Sequence, residues 1–261
     1  MNSRDLRAVQ KLPFCYLCGK TFATGDKRNR DHVPPRSCIA LKDQPHSPVI
    51  LPTHASCNSL FSIDDERVGQ FLSLLHGRLA PVEKRRLHYG NFSIDSLDRD
   101  GRQIGAVCNV DMYGVVQRWV RAFHAALYQQ PMPQGVRFAI ELPFDVVSPV
   151  DGSHIVDDGR PVQREFCEKT IARNRLTRTV DLLAGWSGKL QYTCVWVSTQ
   201  AHLYCVFGLD FYSWHRMARL SRHKPRDCVG LYTLFPGELP AQASKESNLM
   251  TNLRDRSFVL R

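Results

Sequence analysis

The chain has no apolar run near the roughly 20 residues that a bilayer-spanning helix needs. It has no low-complexity tract, no internal repeat and no phosphate-cradling glycine loop. These absences exclude a helical membrane protein, a disordered linker and a repeat architecture. The opening residues, Met1 to Leu6, carry charge but no apolar signal core, so secretion is not expected and a cytoplasmic location is. Acid is in short supply: 25 Asp and Glu stand against 35 Lys and Arg, giving a net charge of +10 and a pI near 9.3. That balance suits a polyanionic partner held through counterion release, or simply a basic soluble protein. An even cysteine count is missing too. Nine cysteines in 261 residues make a poor disulfide scaffold. Several sit in apolar runs such as Tyr192-Thr193-Cys194-Val195-Trp196, where a free thiol behaves as a small hydrophobe.

Cys15, Cys18 and Cys57 are different, because they lie in polar, loop-like sequence beside histidine. Cys15 and Cys18 are separated by two residues, so both thiolates of one tight turn reach one metal. His54 and Cys57 repeat the spacing and complete a set of four. Zn²⁺ in structural sites takes four Cys or His donors tetrahedrally. Residues 15 to about 62 lack regular periodicity and are rich in Pro, Ser and charge, so they need such a staple. Free thiols beside a surface histidine are the plain alternative, and Cys38 and His46 are less well-spaced substitute ligands.

Between the two half-sites lies Asp31-His32-Val33-Pro34-Pro35, and Asn58 directly follows Cys57. One zinc shared by Cys15, Cys18, His54 and Cys57 would pin these segments together. Adjacent residues in an extended segment face opposite ways. Asp31 can therefore offer a hard carboxylate oxygen to Mg²⁺ or Mn²⁺, with Asn58 adding an amide oxygen. His32, on the other side, can take a proton from an attacking water. In isolation the dipeptide reads equally as a turn before Pro34-Pro35.

Cys-x2-Cys, Asp-His-Val-Pro-Pro and the Cys57-Asn58 pair together resemble the HNH endonucleases, in their zinc-stapled branch. They are similar to the phage endonuclease VII type in Asp31-His32 and in Asn58 after the last zinc ligand. The resemblance covers about residues 13 to 76. It implies a ββα-metal fold: a hairpin carrying Asp31-His32, then a helix beginning near Asn58. It also implies one catalytic divalent ion and hydrolysis of DNA phosphodiester bonds to 5′-phosphate and 3′-hydroxyl ends. Two departures stand out. His54 occupies a usual cysteine position, which gives a Cys3His zinc site. The family's middle Asn would fall near Pro48 or Val49, where none exists, leaving Ser47 or His46 to orient His32.

The expected architecture is α+β in three parts: a nuclease module over 1–77, a helical and loop connection over 78–109, and an α+β domain with an antiparallel sheet over 110–261. Ser62-Ile63-Asp64-Asp65 predicts a helix start, with Val68, Phe71, Leu72 and Leu75 at helical spacing. A second helix is expected from Pro81, and loops or a short hairpin over Gly90–Gly105. Val115 to Tyr128 reads as a helix with Val116, Trp119, Val120, Phe123 and Leu127 on one face. Gln163 to Leu183 reads as helix. Phe138–Leu142, Leu190–Val197, Leu203–Phe211 and Val229–Leu234 read as strands. Cys194 and His202 read as core or loop residues, and Trp186, Trp196 and Trp214 as core.

Lys27, Arg28 and Arg30 precede Asp31 and are placed to grip flanking phosphates. Arg216, Arg219 and Arg222, and a second cluster of Lys169, Arg173, Arg175 and Arg178, either extend a DNA-binding surface or form solvated helix faces. The expected partners are DNA and, through the C-terminal domain, a second copy or another protein. No membrane partner is expected. The rival readings are a non-catalytic zinc module that binds nucleic acid, and an interaction protein whose zinc only staples the fold.

Overall fold

Alternation decides the second half of the chain. Tyr192, Cys194 and Trp196 interleave with Thr193, Val195 and Val197. Cys205, Phe207 and Leu209 interleave with Val206 and Gly208. Such a period of two gives a strand with two buried faces. The computed structural model describes residues 8–38, 49–75, 92–97, 103–107, 112–133, 135–142, 164–177, 179–185, 190–198, 203–211, 228–234 and 257–259. In it these segments form a six-stranded sheet. In chain order its strands are β5 (Arg137–Glu141), β6 (Asp181–Gly185), β7 (Leu190–Ser198), β8 (Leu203–Phe211), β9 (Cys228–Leu234) and β10 (Ser257–Val259). The spatial order is β10-β6-β7-β8-β9-β5. Every pairing is antiparallel except β10 on β6, which is parallel, so the expected antiparallel sheet carries one parallel edge.

One face of the sheet packs on helix α4 (Arg164–Leu176), where Cys167 and Ile171 meet Val195, Val206 and Val229. Only glycine fits at 230. A Cβ there would lie 2.5 Å from the Ala139 carbonyl oxygen and 2.6 Å from Phe207 Cζ. The expectation of one helix over Gln163–Leu183 is corrected, because α4 ends at Leu176 and Asp181–Gly185 is a strand. The Thr177 and Thr179 hydroxyls bond the Asn174 carbonyl at 3.2 and 3.4 Å, and the Thr179 amide bonds it at 2.9 Å. Those bonds satisfy a terminal helix carbonyl and turn the chain out of the helix.

The other face packs on helix α3 (Met112–Tyr128). The expected apolar stripe is buried, and so are Val115, Ala122, Ala125 and Ala126. A helix apolar nearly all round belongs inside a protein. Trp119 and Phe123 are among the largest fully buried side chains. Full burial of side chains of this size contributes about 1.5–3 kcal/mol each. A polar seam joins α3 to the sheet. Tyr128 donates to Asp181 Oδ2 at 2.8 Å, Trp196 Nε1 donates to Tyr128 at 2.9 Å, and His124 Nδ1 lies 3.0 Å from the Tyr232 hydroxyl. Burial pushes His124 down to about 3, so it sits there neutral. Cys194 is a core residue, as expected, and Trp196 packs against the core; Trp186, His202 and Trp214 lie outside the described residues.

The N-terminal part is built around a hairpin of β1 (Arg28–His32) and β2 (Ile50–His54), antiparallel from Arg28 opposite His54 to His32 opposite Ile50. Helix α1 (Ala55–Ser59) follows directly, then α2 (Ser62–Leu75), with Asp64 and Asp65 in its first turn. Those acids favour the helix N-terminus electrostatically. Val9, Phe14, Tyr16, Val33, Leu51 and Val68 belong to the same packed cluster as α3 and its face of the sheet. Within 90–109, strands β3 (Phe92–Leu97) and β4 (Gln103–Val107) form an antiparallel hairpin. The helix expected from Pro81 lies outside the described residues. Among the described residues no helix is long and apolar enough to cross a membrane.

Candidate metal centre

The first half-site is a tight turn. The Cys15 amide donates to the Lys20 carbonyl at 2.9 Å, and the Gly19 amide returns to the Cys15 carbonyl at 2.8 Å. Gly19 closes the turn with φ of 73°, a left-handed value that costs glycine little. The turn presents Cys15 and Cys18 to one side. It sends Tyr16, between them, into the core. The second half-site straddles the end of β2. His54 is the last strand residue, and Cys57 lies in α1 one turn beyond it.

The strand pairing and the turn bring the two halves together. The donor atoms of Cys15, Cys18, His54 and Cys57 all lie within 4.8 Å of one another. His54 Nδ1 is 3.3 Å from Cys18 Sγ and 3.9 Å from Cys57 Sγ. The His54 amide donates to Cys15 Sγ at 3.4 Å. Around tetrahedral zinc, with Zn–S near 2.3 Å, donors stand about 3.8 Å apart, so the set fits that ion. Burial and the neighbouring sulfurs of Cys15 and Cys18 push the Cys57 thiol up to about 12. A divalent cation among the three sulfurs would reverse that, since a coordinated thiol is deprotonated.

Asp26, which the sequence reading passed over, completes the centre. Its Oδ2 lies 3.3 Å from His54 Nε2 and accepts the Ala23 amide at 2.6 Å. A carboxylate on the far ring nitrogen fixes the tautomer that offers Nδ1 to the metal. The ring of Phe22 closes on His54 edge-on at 4.8 Å between centroids. Asp26→Asn is expected to weaken zinc retention about 10- to 100-fold, the usual effect of losing such a partner. Chelator competition that gives wild-type affinity would show the contact to be idle.

Asp31 and His32 end β1, and the strand turns them to different surroundings. Asp31 is 7% exposed and its Oδ2 accepts a short hydrogen bond from the Tyr16 hydroxyl. Burial pushes its carboxyl above the usual range, while the Tyr16 bond, Arg118 and His32 pull the other way. His32 is half-buried. Burial, then Arg36, lower its pKa below the ordinary histidine value, with Asp31 opposing. His32 Nε2 is buried without a hydrogen-bond partner among the described residues. Asn58 is half-buried on α1, one residue after Cys57, and its carbonyl accepts the Phe61 amide at 3.2 Å.

Lys27, Arg28 and Arg30 are all exposed on or beside β1, and the Arg28 guanidinium lies 4.6 Å over the Phe22 ring. Lys169, Arg173 and Arg175 lie on α4. Lys169 pairs with Glu165, and Arg175 donates to Thr193 Oγ1 at 2.9 Å. Arg178, Arg216, Arg219, Arg222, His46 and Ser47 lie outside the described residues, and Cys38 is buried in the core away from the four-donor group. Among the described residues, that group is the one set of three or more His, Cys, Asp or Glu side chains placed to share an ion. Comparison with protein-family models, with curated proteins and with solved structures gives no match.

Proposed function

We propose that the chain is an HNH-type endonuclease that hydrolyses DNA phosphodiester bonds, with zinc as a structural ion at Cys15, Cys18, His54 and Cys57. One observation carries the reading: the four-donor cluster lies where β2 runs into α1, the helix bearing Asn58, and β2 pairs with the strand bearing Asp31-His32. Asp31 and Asn58 supply hard oxygen donors suited to Mg²⁺ or Mn²⁺. When bound there, such an ion stabilises charge on the phosphate and on the departing sugar oxygen. His32 stays neutral through its lowered pKa and takes the proton of the attacking water. Exposed Lys27, Arg28 and Arg30 hold flanking phosphates.

The test is cleavage of plasmid DNA with Mg²⁺ or Mn²⁺, repeated for Asp31→Ala and Asn58→Ala. Both variants should need more metal than the wild type, Asp31→Ala more severely because a charged ligand is gone. Wild-type metal dependence in both would remove these residues from the metal. A second reading, a non-catalytic zinc module that binds nucleic acid, gains support from the burial of Asp31 beneath Tyr16. It predicts DNA binding without cutting under every metal condition.

A further inference from the structure

A strand sorts its side chains by parity, and β1 pairs with β2 without a bulge. Leu51 and Thr53, opposite Asp31 and Asn29, are fully buried, so the face they share is the inner one. The outer face carries Arg28, Arg30 and His32, opposite His54, Pro52 and Ile50. Arg28 and Arg30 are exposed and His32 is half-buried. The three stand in one row, successive members about 7 Å apart along the strand, twice the rise per residue of an antiparallel pair. That is close to the separation of neighbouring phosphates along one nucleic-acid strand. No carboxylate stands on this face of the hairpin. Among the described residues neither guanidinium makes a salt bridge. Arg28 is held in place all the same. Its guanidinium lies 4.6 Å over the Phe22 ring, and that ring meets His54 of the metal centre edge-on at 4.8 Å. Stacking occupies the flat face of a guanidinium and leaves its N–H donors, which lie in the plane, for an anion.

We propose that the outer face of β1 is a track for one strand of DNA. With the phosphate to be cut against His32, Arg30 takes the next phosphate along that strand and Arg28 the one after. The register rests on the nuclease reading and adds a direction to it: both contacts fall on the cut strand and on the same side of the cut. Lys27 is one residue out of phase with the row.

The experiment uses the zinc-loaded full-length chain and a duplex oligonucleotide that it cuts at one mapped position. The cut strand is remade with single neutral methylphosphonate linkages, one or two steps to either side of the cut, and kcat/KM is measured with Mn²⁺. On one side, each of the two linkages is expected to lower kcat/KM about tenfold, the scale of one hydrogen bond to a charged group. Arg30→Gln should become indifferent to the first linkage and stay sensitive to the second; Arg28→Gln should show the reverse. Lys27→Gln should keep both dependences, whatever it costs in overall rate. Zinc content and melting temperature should match wild type, because the altered side chains are exposed. Should Arg28→Gln lower either, Arg28→Lys and Arg30→Gln decide. An active wild type whose arginine variants remain as sensitive as itself at every linkage overturns the track alone, and so does coupling in the opposite order. A wild type that cuts no DNA overturns the nuclease reading and this register together.

Discussion

His32→Ala is expected to lose metal-dependent cleavage by a factor of about a hundred to ten thousand, the usual range for removing a general base. Zinc content and DNA affinity should stay near wild type, since His32 is not among the four donors. The pH profile gives a second handle. Burial and Arg36 lower the His32 pKa from the ordinary value of 6.5. A histidine acting as general base must be neutral, so under the proposed role the rate should climb with pH along a limb lying below 6.5 and level off above it. In the alanine variant that limb should vanish. Cleavage at the wild-type rate, or a limb that survives the substitution, would take the base role away from His32.

Zinc removal is the second large effect. Two five-residue strands and a five-residue helix cannot bury enough apolar surface to stand alone. In small zinc modules the ion contributes roughly 10–16 kcal/mol of apparent binding free energy, which is folding free energy. The wild-type chain should hold one zinc. Cys57→Ser or a strong chelator should unfold residues 8–38 and 49–75. Because Phe14, Tyr16, Val33 and Leu51 share a cluster with Trp119, the loss should also be seen in tryptophan fluorescence from α3. A Cys57→Ser chain that keeps its zinc and its melting temperature would leave the centre without a structural role.

What the sequence made legible was local. The x2 spacings of Cys15-Cys18 and His54-Cys57 work because each pair lies within a single turn, and the structure gathers all four donors. Periods of two and of 3.6 likewise announced β7, β8, β9 and α3. What stayed hidden was contact between segments. Asp26 on His54, Tyr16 on Asp31 and Arg118 on Asp65 are 28, 15 and 53 residues apart, and no period links them. The Cys-x2-Cys turn sends Tyr16 inward, where its hydroxyl donates to Asp31. The start of strand β6 falls inside the helix expected over Gln163–Leu183, and Leu182 and Leu183 suit either state. The hydroxyl bonds of Thr177 and Thr179 to Asn174 decided the matter.

Helix α3 has a consequence for how such a chain can change over generations. Its side chains are packed on the hairpin cluster and on the sheet at once. A substitution at Trp119 or Phe123 that improved the sheet would be felt at the strand carrying His32, and compensating changes would have to arise in both halves together. The two halves are then expected to drift as one unit. Swapping either for a counterpart from another lineage would succeed only if α3, with Arg118 at one contact and Tyr128 at the other, travelled with both.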